Sequence, residues 1–371
     1  MRNAKVCIIT TVHMLFDTRI FMKEAQSLVQ AGLNVALIAR HEKSEKIDGI
    51  KVVGFRGSCN RFYRMFFSTW KAFFLSIKEG ANIYHFHDPE LIVCGIGLKI
   101  FTKAKVIYDV HEDVPKEILG KEWLPNFLRK WIAHGVKWVE IFAARFLDAM
   151  VVATPSIAKR FPPSKTTIVQ NFPKADERSE KRNYLERSKG IVYVGDIRVV
   201  RGAHEMVNAI ELLRDVDDAN LFMVGRFTPP SLKDVLERHP GWKRVRFLGW
   251  QGENHVKEIL KDSRIGLLIF HPLPNHIEAQ PNKLFEYMAA GLPVVASDFP
   301  LWRKIISEGP CGLLVNPLDT QMIADAIKYL LDNPREAEEM GKRGRDMVLR
   351  KYRWEHEEKK LLSLYRGLLK N

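Results

Sequence analysis

The chain has 371 residues, 46% of them hydrophobic, and its 58 Lys plus Arg against 44 Asp plus Glu leave a net charge of +14. That length exceeds one ordinary core and fits two domains, and no uncharged apolar run reaches the roughly 18 residues that would span a bilayer. The positive balance favours anionic partners such as nucleotide phosphates, lipid headgroups or nucleic acid, and charge alone does not choose among them.

The segment MRNAKVCIITTVH has too short an apolar run for a secretory signal and reads as a first strand. Cys7, Cys59, Cys94 and Cys311 lie far apart without metal-type spacing, and at least Cys7 and Cys94 fall in apolar segments that suit buried free thiols, which favours a reducing compartment. The expected location is the cytoplasm, soluble or peripheral on the inner face of the membrane. Apolar runs at 5–11, 34–39, 50–55, 82–87, 105–110, 149–154 and 166–171 alternate with helical patterns, which predicts a parallel sheet with crossover helices over residues 1–171. The polar stretch 172–189 reads as a linker. Runs near 191–195, 220–225, 244–249, 265–270, 293–297 and 312–315 repeat the pattern over 190–350. The final stretch, 351–371, is expected as a helix packing back toward the N-terminal domain. The fold class is α/β: two Rossmann-like sheets, each with ligand loops at the carboxyl ends of its strands, and the cleft between them is the default site.

Three strand ends in the first half carry polar clusters: His13, Asp17 and Arg19; then His87, Asp88 and Glu90; then Asp109, His111, Glu112 and Asp113. A lone histidine is more often structural than catalytic, but three such loops would converge on one crevice. Asp17 equally suits capping a helix that begins at Thr18. The segments 61–78 and 127–146 interleave Lys and Arg with aromatic residues. They read either as core-facing helices with snorkelling bases or as a basic, aromatic surface for anionic lipid.

No G-x-G-x-x-G turn follows the first strand and there is no Walker loop, which argues against a nicotinamide or flavin enzyme and a P-loop enzyme. In 195-GDIRVVRGAHEMVNAI-210 a strand ends in a loop carrying Arg198 and Arg201, and Gly202 opens a helix. Two guanidinium groups there suit a diphosphate, the alternative being a solvated basic turn. The acidic run 215-DVDDAN-220 precedes its strand and reads as a solvated turn, so neither a metal nor a cofactor is expected. In 276-HIEAQPNKLFEYMAAGLPVVAS-297, Pro281 and Gly291 bracket a helix of about 281–290. Glu278 then lies before that helix and Glu286 in its second turn. The N–H groups near Asn282, Lys283 and Leu284 would meet phosphate, while the two carboxylates would bond sugar and ribose hydroxyls.

With these motifs in order, the sequence resembles family 4 of the retaining glycosyltransferases with the GT-B fold, across essentially the whole chain. Glu278 through Glu286, followed by 288-MAAGLPVVAS-297, is similar to that family's Glu-x7-Glu signature; 195-GDIRVVRG-202, 223-MVGRF-227, 245-VRFLGW-250 and 312-GLLVNPLD-319 fall in the family's order. The resemblance implies a metal-independent enzyme that moves a sugar from a nucleotide-diphosphate donor to a saccharide or lipid-linked saccharide acceptor in cell-surface polysaccharide or glycolipid synthesis, by a same-face mechanism. It gives Glu286 the ribose, sets Glu278 against the donor sugar, matches Arg201 to the family's phosphate-binding lysine, and puts His111 at the reaction centre. Asp196 stands where the family often has arginine, and 279-AQP-281 replaces its Gly-rich turn. An epimerase or hydrolase on the same fold and a non-catalytic sugar-nucleotide-binding subunit remain as alternatives. Nucleic-acid binding rests on charge alone and is not expected.

Overall fold

The computed structural model describes residues 3–56, 67–121, 124–174 and 183–370, which form two compact units: Met1–Asn171 with Trp354–Asn371, and Phe172–Arg353. Among the described residues, the first unit holds strands β1 (Lys5–Met14), β2 (Asn34–Arg40), β3 (Glu45–Ile47), β4 (Ile50–Phe55), β5 (Ile83–Phe86), β6 (Lys105–Val110), β7 (Ala149–Val152) and β8 (Thr166–Ile168). They lie in the order β3-β4-β2-β1-β5-β6-β7-β8. All neighbours are parallel except β3 and β4. That antiparallel pair was not anticipated; its turn is Asp48-Gly49, both at positive φ, the pairing a two-residue hairpin favours.

The strands read as unbroken apolar runs because both faces of the sheet are covered. On one face helices α1 (Thr69–Glu79), α2 (Ile92–Phe101) and α3 (Asn126–Phe146) bury Phe73, Leu98, Ala143 and Ala144 against Phe86, Tyr108 and Val152. On the other, the helical stretch 20–30 and the C-terminal helix Trp354–Lys370 bury Phe21, Leu28, Trp354, Leu361 and Tyr365 against Ile8, Ile83 and Ile107. Trp354 Nε1 donates to Ser27 Oγ at 3.0 Å, and Gln170 N–H donates to Glu357 at 2.9 Å. The chain's last helix is thereby part of the first unit.

The second unit holds β9 (Gly190–Val194), β10 (Asn220–Val224), β11 (Val245–Gly249), β12 (Ile265–Leu268), β13 (Val294–Ser297) and β14 (Gly312–Val315), ordered β11-β10-β9-β12-β13-β14. Phe172 and Tyr184, inside the stretch expected to be a linker, are buried in this unit's core. Aromatic side chains of that size do not stay in water when a core is in reach. Each sheet has a topological switch point, between β1 and β5 in the first unit and between β9 and β12 in the second. Loops leaving adjacent strands diverge there and leave a crevice at the carboxyl ends.

Candidate functional site

In the first unit, β1, β5 and β6 bring their terminal loops together. Asp88 is buried, and its Oδ2 accepts from Thr10 Oγ1 at 2.9 Å, Thr11 N at 2.6 Å and Val12 N at 3.1 Å. These bonds tie the end of β1 to β5. His13 Nε2 lies 3.1 Å from His111 Nε2, so one imidazole donates and the other accepts, and the pair shares a proton. His13 Nδ1 is 3.4 Å from Asp17 Oδ2, and its Nε2 is 3.4 Å from Asp88 Oδ1. Burial acts against the charged ring, but Asp17 and Asp88 outweigh it and raise the His13 pKa. Asp17 Oδ1 also accepts from the N–H groups of Arg19 and Ile20 at 2.8 and 2.9 Å, so it caps the first helical turn and holds His13 at once. His13, Asp17 and His111 are partly exposed and Glu112 is exposed.

Arg19, His87 and Asp88 do not sit on that accessible surface, contrary to the sequence expectation; each is about 2–3% exposed. A guanidinium leaves water only where carboxylates meet it. Arg19 Nη2 donates to Asp109 Oδ2 at 2.8 Å and Nη1 to the Val169 carbonyl at 2.9 Å, and Nε is 2.9 Å from Glu24 Oε1. Around this pair stand His85, whose Nδ1 is 2.8 Å from Tyr365 Oη, and His87, whose Nε2 is 3.5 Å from Glu24 Oε2. Burial, and then Asp109, push the Glu24 carboxyl well above the usual range. Burial would also raise Asp109, but Arg19 and the imidazoles beside it hold it well below. Burial keeps His87 uncharged. The cluster therefore pairs the Asp109 carboxylate with the Arg19 guanidinium, and the same burial biases Glu24 toward its protonated form. Asp109 Oδ1 faces His111 Nδ1 at 3.7 Å, which connects the buried network to the accessible histidine.

Glu24, His85, His87 and Asp109 also offer one potential metal-ligand atom each within 4.8 Å of one another. Sequence reasoning did not find this group. Arg19 already supplies the positive charge that its carboxylates need. The acidic run behaves as expected: Asp215 is exposed and pairs with Lys328 at 2.6 Å, and Asp218 has a positive φ just before β10.

In the second unit the loop after β9 meets the elements after β12. Gly195 has φ +122, and a Cβ there would come within 2.5 Å of Lys283 Nζ, so only glycine lets the lysine lie across the strand end. Lys283 Nζ stands 5.4 Å from the Tyr193 ring centroid and 5.5 Å from that of Phe270. Arg201 stands 5.6 Å from Phe270, so two cations share one aromatic floor. Burial, followed by Arg201, lowers the Lys283 pKa to about 7. Tyr193 Oη donates to the Asp196 carbonyl at 2.6 Å, and Arg198 pairs with Asp196 at 3.1 Å. The residue that stands in place of an arginine thus anchors the nearby one.

Helix α5 (Asn282–Ala289) begins directly after Pro281, whose ψ of 130° is not helical, and no side chain caps it. The N–H groups of Asn282 and Lys283 are at its start, but Leu284 N–H donates to the Pro281 carbonyl at 3.1 Å. Leu284 is therefore a core residue, and its expected role in phosphate binding is corrected. Glu286 lies partly buried in the second turn. Glu278 is exposed and ends the short helix α4 (Pro274–Ile277), not foreseen in the sequence. Trp302 Nε1 donates to the Ala279 carbonyl at 2.8 Å and fixes the turn between these helices.

Residues 174–347 match the family described as glycosyl transferases group 1. The glycogen synthase of Mycobacterium tuberculosis is 23% identical over 283 residues, which cover 74% of this chain and 66% of that relative, slightly under two thirds of its length. Sucrose-phosphate synthase from Thermosynechococcus elongatus aligns at a TM-score of 0.78 with 18% identity and covers 99% of each chain. Anabaena HepE, solved in complex with UDP and glucose, aligns at 0.71 with 15% identity, over 98% of this chain and all of that one. Residues 174–347 are therefore similar to the glycosyl transferases group 1, and the chain's two α/β units are those of the GT-B fold.

Proposed function

We propose that the protein transfers a sugar from a nucleotide-diphosphate donor to an acceptor hydroxyl with retention at the anomeric carbon. The observation that carries this reading is the convergence of Arg201 and Lys283 on Phe270 beside the start of α5, with Glu286 one turn further on. Arg198, Arg201, Lys283 and the helix N-terminus would meet the diphosphate, Glu286 the ribose, and Glu278 the donor sugar. The known HepE complex with UDP and glucose supports a nucleotide-sugar donor as the ligand class. In the reaction, the bond from the anomeric carbon to the phosphate oxygen breaks while the acceptor oxygen bonds to the same face. The acceptor proton passes to the departing phosphate. Guanidinium and ammonium groups stabilise the charge that develops on the leaving group, in place of a divalent ion. The His13–His111 pair would orient the acceptor or stabilise positive charge on the sugar, and Val12, Met14 and Phe16, exposed around His13, give this edge an apolar rim. The acceptor is a saccharide or a lipid-linked saccharide.

A thermal-shift screen of UDP, GDP, ADP and CMP sugars in buffer containing EDTA tests this reading, because a ligand that binds only the folded protein raises its stability. One nucleotide class should raise Tm, and donor turnover should persist with EDTA. Silence from every donor, or turnover that requires added Mg²⁺ or Mn²⁺, would contradict it.

A further inference from the structure

Helix α3 carries its apolar residues on the wrong side for a core helix. Its buried positions are Ala133, Glu140, Ala143 and Ala144, a stripe of small residues and one carboxyl. Phe127, Trp131, Trp138 and Phe142 recur at spacings of about four and seven, which at 3.6 residues per turn sets them on one line. That line is roughly opposite the buried stripe. Trp131 is 75% exposed, and Phe127, Trp138 and Phe142 are each more than half exposed. Helix α1 repeats the pattern: Ala72 and Phe73 face inward while Trp70, Phe74 and Ile77 face out. Val93, Ile100 and Phe101 of α2, which lies between them, are also exposed.

Charge is equally one-sided. Besides Lys99, which pairs with Asp148 at 2.8 Å, the three helices carry Lys71, Lys78, Arg129, Lys130, Lys137 and Arg145 but only two carboxylates. Neither carboxylate is free to face solvent with the aromatic residues: Glu79 pairs with Lys5 and Lys51, and Glu140 is buried against Tyr108 and Arg160. Of the residues first considered for this surface, Arg61, Phe62, Tyr63, Arg64 and Phe66 lie outside the described residues. We propose that the face formed by α1, α2 and α3 is a membrane-docking surface that rests in plane on anionic lipid, with the aromatic rings at headgroup depth and the lysines on the phosphates. A second copy fits this face less well, because symmetric pairing would set its lysines against their own equivalents. The proposal is independent of the donor site, so vesicle binding and donor binding can fail separately.

Sedimentation of the full chain with phosphatidylcholine vesicles, with and without phosphatidylglycerol, reads the outcome. The protein should pellet with anionic vesicles at low salt, stay in solution with neutral ones, and be released by high salt. Lys130→Glu with Lys137→Glu should weaken binding by at least about fivefold per charge. Trp131→Ser with Phe142→Ser should weaken it while leaving Tm unchanged, since these side chains face away from the core. Tryptophan emission should shift to the blue on binding and lose that shift in the Trp131→Ser variant. A wild-type protein that stays in the supernatant at low salt overturns the proposal. So does a dimer in solution that the same variants dissociate without any vesicle binding.

Discussion

Arg201→Ala should lower kcat by roughly 10²–10³, the range for removing one preorganised group that stabilises transition-state charge. KM for the donor should change far less. The side chain lies over Phe270 beside Lys283, so it is held where charge would appear on the leaving diphosphate. Arg201→Lys should recover only part of the loss, because an ammonium cannot form the paired contacts of a guanidinium. Far-UV CD and Tm should be unchanged, since Arg201 lies in a short loop turn outside the core. Steady-state kinetics with the donor found by the screen decides it. Wild-type kinetics in the variant would return Arg201 to a solvated basic turn.

Arg19→Met should destabilise the fold by about 3–5 kcal/mol, the usual consequence of leaving a buried charge without its partner. Arg19 is 3% exposed and Asp109 fully buried; their contact at 2.8 Å is what holds the Asp109 carboxyl ionised. Without the guanidinium, burial should raise the Asp109 pKa above its unfolded value. A raised folded pKa stabilises below the ordinary carboxylate range and loses that stabilisation as pH rises. The deficit of the variant should therefore be larger at pH 7 than at pH 5, and Asp109→Asn in the Arg19→Met background should recover part of it. Urea unfolding at the two pH values gives the numbers. A deficit below about 1 kcal/mol would show that the cluster contributes little to the fold.

The alternation of apolar runs and helical patterns was enough to read both parallel sheets, because strands covered on both faces leave a continuous apolar signal. The helix at 281–290 was legible for another reason: proline and glycine punctuate the chain locally, and the structure begins α5 one residue after Pro281. Burial of charge was not legible. Arg19, His87 and Asp88 looked like surface ligands because their type is usually exposed, and Glu24, which contacts Arg19 and His87 in the buried cluster, sits in a helical stretch with no motif. A signal for the cluster did exist. His85 on β5 and His87, one residue past its end, are two apart in extended chain, so they share one face of the sheet, and a buried segment does not carry two imidazoles toward its core without partners. The aromatic stripe of α3 was seen in the sequence, but which side it faced depended on whether the small residues or the large ones packed on the sheet. Alanines did.

A calorimetric titration of UDP, GDP and ADP into the wild-type protein and Glu286→Ala, at pH 6.5 and pH 8.5, tests the central claim most directly. Lys283 has a pKa of about 7 in the unliganded protein, and a bound diphosphate would favour its charged form. Binding then takes up a proton, so affinity should fall as pH rises above 7, by as much as tenfold per unit. The account predicts that one nucleotide binds the wild type more weakly at pH 8.5 than at pH 6.5. It also predicts that Glu286→Ala loses roughly tenfold or more, the value of a charge-assisted contact to a ribose hydroxyl. The absence of binding by any nucleoside diphosphate, or equal affinity for wild type and Glu286→Ala, would contradict it.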